Sequence, residues 1–474
     1  MRLVPINFSP VSSQGEHPLT GGPMLINAIA EQLEDGRVII KRAPGLKRLF
    51  QSAGGNVHCR GMIAANPGTL LVVYNGMVES VTQSGLDFIA EERGALIGTD
   101  LVTLARNNAA TPDIVGVSEI AGPFQIFPAG APIAYPDVDV GSPIDVCFLG
   151  GYFFFAYGDG RCRASGLNTT AIDPLDEIRA ETKTGGLMRA IPFRRQLLLF
   201  GPNGAEAWQG DQPNASGFPF NFADVIERGL ASKFSIAGYE DKFVSNLIWA
   251  TQDNMVCELR GYQAHRISTP TIERDLQYLT DKSTLRAFVM MHSGHPYWVL
   301  KSPSFTHVYD LLTSTWQERK SYGYERFRAE QSVHMFGDWI VGDEFTGDAY
   351  NLDARVHLEG TQPLVFEVES AISQVFPYRK GVKRADFLFA AESGSGGVEG
   401  DIDSDPHIDI QWSDNGGTGW STTIQRHLSQ TGKYETRITV RRAEHIGPYG
   451  RKWRLRVSDP VYTALLAGTM LVED

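Results

Sequence analysis

Cysteine is scarce, with four residues in 474: Cys59, Cys147, Cys162 and Cys257. None belongs to a C-x-x-C pair, and each has apolar or strand-like neighbours. Buried, reduced thiols are therefore expected, rather than a disulfide framework or a structural zinc. Long apolar runs are also missing. No stretch approaches the roughly 18 residues a membrane helix needs, so no membrane insertion is expected. The opening Met1-Arg2-Leu3-Val4-Pro5-Ile6-Asn7 lacks a charged segment followed by a long apolar one. A secretory leader is therefore not expected, and the chain is read as soluble and made in a reducing cytoplasm. Positive charge is in deficit: 43 Lys and Arg stand against 55 Asp and Glu, a net of −12. That balance excludes a global basic footprint for nucleic acid.

Catalytic and metal signatures are equally thin. There is no G-x-x-x-x-G-K-[ST], no G-x-G-x-x-G after a strand and no G-x-S-x-G. Asp401-x-Asp403-x-Asp405 begins like a calcium loop, but Pro406 stands where the loop requires Gly and Trp412 where it requires Glu. A solvated acidic loop is the better reading. His292 and His295 flank Ser293-Gly294 with no further ligands nearby, as turn histidines do. No catalytic residue, cofactor or metal is expected. A carboxylate pair assembled from distant blades, as in propeller glycosidases, stays open because sequence separation hides it.

What the chain does have is Gly (49) and Pro (25) spread throughout, with 42% hydrophobic and 21% charged residues. This composition suits many short strands joined by tight turns. Short apolar runs followed by Gly-containing turns recur. They are Leu70-Leu71-Val72-Val73-Tyr74 before Asn75-Gly76, a type I′ hairpin signal, Tyr152 to Tyr157 before Gly158, and Leu197 to Gly201 before Pro202-Asn203-Gly204. Leu247 to Ala250, Tyr297 to Leu300 and Trp339 to Gly342 continue the series. The gaps between starts are 82, 45, 50, 50 and 42 residues. The first is close to double the rest, which places a degenerate unit near residue 111, with Ile114-Val115-Gly116-Val117 as its strand. Units of this size carrying hairpins are propeller blades. Continuous apolar runs, rather than strict alternation, suit strands buried on both faces. Two stacked β-sandwiches are the alternative. Helical patches are expected only near 26–34 and 271–280.

The repeat ends near Asp353. Beyond it, Pro363–Glu369, Ile408–Trp412, Thr436–Val440 and Lys452–Val457 read as strands of a small antiparallel sandwich. The expected fold is all-β: a six- or seven-bladed β-propeller over 51–356, after an N-terminal arm and first strand over 1–50, and before a β-sandwich domain over 357–474. Residues 360–474 hold 13 basic and 15 acidic residues, so the acidity lies on the repeat. The last strands alternate so that Arg437 and Arg441, and Lys452, Arg454 and Arg456, project on polar faces. If those strands pair, one sheet face carries five cations. That face is either a solvated edge guard or a dock for an acidic partner.

Several blocks resemble the packaged-DNA stabilisation proteins of short-tailed phages, the tail hub or nozzle subunits. They are Asn27-Ala28 with Arg42-Ala43-Pro44-Gly45-Leu46-Lys47-Arg48, Leu197 to Trp208, Glu227-Arg228-Gly229-Leu230-Ala231, and Ile267 to Glu273. His307-Val308-Tyr309-Asp310 with Trp316, Gly342-Asp343 with Gly347, and Arg454-Leu455-Arg456 complete the series. Their shared order over some 330 residues carries the resemblance. The spacer after Ser370 departs from the pattern.

The resemblance implies a virion tail protein that forms a ring, expected to be a hexamer, below the portal and head-to-tail adaptor. A tail needle or plug would close its lumen, and fibres or spikes would dock outside. DNA would pass through without sequence-specific binding, and an acidic lumen would repel phosphate. A glycan-active propeller enzyme and a host-receptor-binding tail protein are the competing readings. Contacts are expected in residues 1–24, in loops 212–226 and 393–406, and on the cationic face near 437–456.

Overall fold

The computed structural model describes residues 1–474 except 14, 16, 128, 184, 211–216, 376–379, 392–404, 430–434 and 474. Seven four-stranded antiparallel blades follow one another: residues 61–96, 103–134, 145–179, 189–226, 236–266, 286–318, and 329–353 completed by the strand Gly45–Gln51. The runs seen in the sequence are the second strands of six blades, and Ile114–Ser118 is the second strand of the blade whose signal is degenerate.

Their continuous apolar character has a direct cause. Side chains alternate across a strand, and each blade has a neighbour on both sides. Phe153 and Phe155 pack toward the preceding blade, while Phe154 packs toward the next. Leu197 and Leu199 face one neighbour, and Leu198 and Phe200 the other. Seven buried clusters fill the seven seams between blades. Each fully buried Phe or Leu stabilises the ring by about 1.5–3 kcal/mol.

The ring closes with a strand from the other end of the repeat. Gly45–Gln51 pairs antiparallel with Asp348–Asp353, with Leu46 opposite Leu352 and Phe50 opposite Ala349. Leu46 enters the seam between blades 6 and 7, and Phe50 the seam between blades 7 and 1. The last blade thereby gains an outer strand that locks first and last units together.

Leu358–Glu359 and Gln362–Pro363 extend the blade 7 sheet beyond Gly45–Gln51, and the other strands form two sheets around one further core. One contains Met24–Ile26, Phe366–Glu369, Lys452–Val457, His407–Ser413 and Ile424–His427. It is continuous with blade 6 through a parallel pairing of Ile26 with Glu318. The other contains Ala28–Gln32, Val38–Arg42, Thr463–Val472, Val382–Ala391 and Glu435–Arg441, with Arg2–Pro5 on Thr463–Val472. Both contribute to one buried cluster, in which Trp453 meets Phe387 at 5.4 Å and Trp412 at 5.7 Å between ring centroids.

Residues 1–50, read from sequence as an arm and a first strand, thus supply four strands to these sheets and one to blade 7. The patch 26–34 is strand, not helix. Asn27, at φ 51°, turns the chain from one sheet into the other, so its two sides cannot share a helical ladder. The helix near 271–280 is present as Pro270–Tyr278, with proline at its start. No described helix is long and apolar enough to cross a membrane.

Candidate interfaces and the central channel

The inner strands of all seven blades surround a cavity of about 470 Å³. Met62, Leu104, Phe148, Pro192, Ile236, Phe288 and Val333, one from each blade, line it. Near Phe234 its wall becomes polar. Arg189 donates to Asp145 at 2.9 Å, to the Tyr239 hydroxyl at 2.8 Å and to the Lys233 carbonyl at 3.3 Å, so one guanidinium ties blades 3, 4 and 5. Arg189, Lys233 and Arg286 also stand 5.4, 5.0 and 5.4 Å from the Phe234 ring centre. Desolvation lowers the Lys233 amine below the ordinary lysine range and pushes the Glu240 carboxyl up to about 7.

The five cations expected on one face are divided between two sheets. The strand Glu435–Arg441 pairs with Val382–Ala391, whereas Lys452–Val457 pairs with Phe366–Glu369 and His407–Ser413. The premise of a single face fails, because alternation shows which way a side chain points but not which strand lies alongside.

On the first sheet, Arg437 bonds Asp386 at 2.7 Å, and Arg384 reaches the same carboxylate at 2.8 Å. Arg384 lies directly opposite Arg441. Two arginines therefore share one carboxylate on this outer face, with Arg441 on the strand beside Arg384, and Arg437 and Arg384 stay 57% and 41% exposed. Arg384 is a member of the group that sequence reading missed. Its only signal is a register that appears once the strands are paired.

On the second sheet the neighbours neutralise the charge. Glu369 lies opposite Arg454, and Glu367 opposite Arg456. Arg454 bonds Glu369 at 2.6 Å, lies 3.3 Å from Glu367 and sits over the Trp420 ring at 3.8 Å. Lys452 is buried and paired with Glu369. Arg456 is half exposed, with Glu367 at 4.0 Å. This cluster stitches strands together, and the outer face around Arg384, Arg437 and Arg441 is the better candidate interface.

Of the loops expected to make contacts, 211–216 and 392–404 lie outside the described residues, as do Asp401 and Asp403 of the calcium-like run. Residues 221–226 are not a loop but the outer strand of blade 4, Asn221–Ile226. Residues 1–24 include Arg2–Pro5, paired into a sheet. All four cysteines are buried and unpaired. His292 and His295 flank a hairpin turn in which Ser293 and Gly294 both have positive φ, and His295 bonds Asp310 at 2.7 Å.

A family model described as Phage_stabilise, "Bacteriophage P22 Gp10, beta-propeller", matches residues 30–357. Among solved structures, the WD40 beta-propeller domain of Doa1 is similar at 10% identity, over 65% of this chain and 97% of that one, with a TM-score of 0.42. U3-55K is similar at 8% identity, over 66% and 100%, with a TM-score of 0.42. No curated protein matches.

Proposed function

The chain belongs to the phage stabilisation family of bacteriophage P22 Gp10 beta-propellers, and on that premise we propose that it is a tail nozzle or hub subunit of a short-tailed phage. In this reading it forms a ring, six-fold by expectation, beneath the head-to-tail adaptor. The ring holds packaged DNA in the head and conducts it outward at ejection. The observation that carries the proposal is the family match, which spans the whole propeller including its closing strand. The self-closed propeller is a rigid wall unit. The two-sheet module joined to blade 6 is the appendage available for contacts with neighbours.

The charge distribution supports the same role. The repeat half is acidic, while the outer face with Arg384, Arg437 and Arg441 carries a local surplus of cations. Docking of that face on the acidic propeller of the next subunit would join the ring. Acidic surface turned to the lumen would let DNA slide, since a basic lumen would hold phosphate with strong salt dependence.

Electron microscopy and native mass spectrometry of the purified chain, alone and with the adaptor ring, test the reading. Rings with the adaptor, and protein located at the tail vertex of the virion, are expected. Monomers under both conditions would overturn it. Tight binding of the chain to duplex DNA at 50–200 mM salt would overturn the sliding-lumen component.

A further inference from the structure

We propose that Asp405, His407 and His427 form a binding site for a divalent transition ion of the zinc class. His407 and His427 lie directly opposite each other on the strands His407–Ser413 and Ile424–His427, with ring centroids 4.8 Å apart. Asp405 stands between them. One carboxylate oxygen is 2.8 Å from His427 Nδ1, and the other is 4.0 Å from His407 Nε2. The three ligand atoms all fall within 4.8 Å of one another.

A tetrahedral zinc with ligands at about 2.0–2.1 Å separates neighbouring ligand atoms by about 3.3 Å. The Asp405–His427 gap must therefore open by about 0.5 Å, the Asp405–His407 gap close by about 0.7 Å, and the His407–His427 gap close by up to about 1.5 Å. These are side-chain adjustments, and the three side chains are 34–62% exposed and free to make them. The backbone that carries them is already held. The His407 N–H donates to Asp459 at 2.6 Å, and the Leu428 N–H donates to the Pro406 carbonyl at 2.7 Å. Leu428, directly after His427, is fully buried in the module core. The three ligands thus project from two segments fixed in register.

The donor set decides the ion. Two imidazoles with one carboxylate favour zinc, nickel or cobalt, whereas calcium and magnesium seek all-oxygen shells. The bound ion replaces the hydrogen bond between His427 Nδ1 and the Asp405 carboxylate. It also clamps Ile424–His427, the last strand of its sheet, to the strand beside it. Three protein ligands leave a coordination position for water or for a group from a second molecule.

The test uses the full-length chain without a histidine tag. Zinc chloride is titrated at neutral pH against a chromogenic chelator, and cobalt absorption supplies a second readout. One zinc per chain is expected, calcium should not compete, and His407→Ala and His427→Ala should each weaken binding at least tenfold. Asp405→Asn should weaken it as well, while His265→Ala, an exposed histidine on blade 5, should leave it unchanged. Unchanged melting of the metal-free variants checks folding. Absence of stoichiometric binding, or binding indifferent to both histidine substitutions, would overturn the proposal.

Discussion

Replacing Asn27 with alanine should loosen the two-sheet module from the propeller. Asn27 is 2% exposed and sits where the chain passes from one sheet to the other. Its amide nitrogen donates to the Lys320 carbonyl at 2.8 Å and to the Val365 carbonyl at 2.9 Å. Its amide oxygen accepts the Lys320 N–H at 3.0 Å. One side chain thus satisfies three backbone groups from the end of blade 6 and from the segment entering the module.

Alanine leaves all three without partners, at about 1 kcal/mol each and more where water cannot reach them. Its Cβ at φ 51° adds about 1 kcal/mol, because a left-handed conformation suits Asn better than Ala. The expected loss is about 3–5 kcal/mol. Asn27→Gly removes the same hydrogen bonds but accepts the backbone angle, so it should cost about 1 kcal/mol less than Ala. Urea unfolding followed by tryptophan fluorescence and amide hydrogen exchange reads the effect, since Trp412 and Trp453 lie in the module core. A loss below about 1 kcal/mol in Asn27→Ala would refute the reasoning. So would a glycine variant less stable than the alanine one.

Three further expectations follow from the same geometry. Leu46→Ala, on the closing strand and fully buried between blades 6 and 7, should cost about 2–5 kcal/mol. It should also expose the last blade to hydrogen exchange before the others, and uniform exchange across the blades would count against the closure. Lys301 is buried and bonds Glu330 at 2.7 Å and Glu344 at 2.6 Å. Against desolvation, Arg326 and Lys301 together hold the Glu344 carboxyl at about 2. Lys301→Met should therefore cost about 3–5 kcal/mol by orphaning buried charge, and a neutral result in thermal unfolding would contradict that. Burial, helped by the nearby Arg42, holds the His357 imidazole at about 4. The unfolded chain therefore takes up this proton first. The His357 contribution is fully present above pH 6.5 and is lost as pH falls toward 4. His357→Phe should flatten this slope in a pH series of unfolding curves, and an unchanged slope would remove His357 as its source.

Much of the architecture was readable before folding because blade seams leave a local mark. A strand packed on both faces must be apolar at successive positions, so Phe153-Phe154-Phe155 and Leu197-Leu198-Leu199 announce themselves. The gap arithmetic located even the weak blade at Ile114–Ser118. The candidate interface residues were only half legible. Alternation placed Arg437, Arg441, Arg454 and Arg456 on polar faces, but partner strands decided their chemistry. Glu367 and Glu369 neutralise the second set from 85–90 residues away, whereas Arg384 adds to the first.

The amino-acid sequence by itself determined the all-β class, the blade period and the acidity of the repeat, because each depends on composition or on short-range spacing. Tertiary structure alone decided that Gly45–Gln51 closes the ring and that Asn27 is a corner rather than part of a helix. It also decided that the cations belong to two sheets, and that His407 and His427 meet across a strand pair with Asp405 between them. These features rest on strand pairing between distant segments. Pairing is set by backbone hydrogen bonds, which every residue type except proline offers alike, so it leaves no mark on any single stretch of the chain.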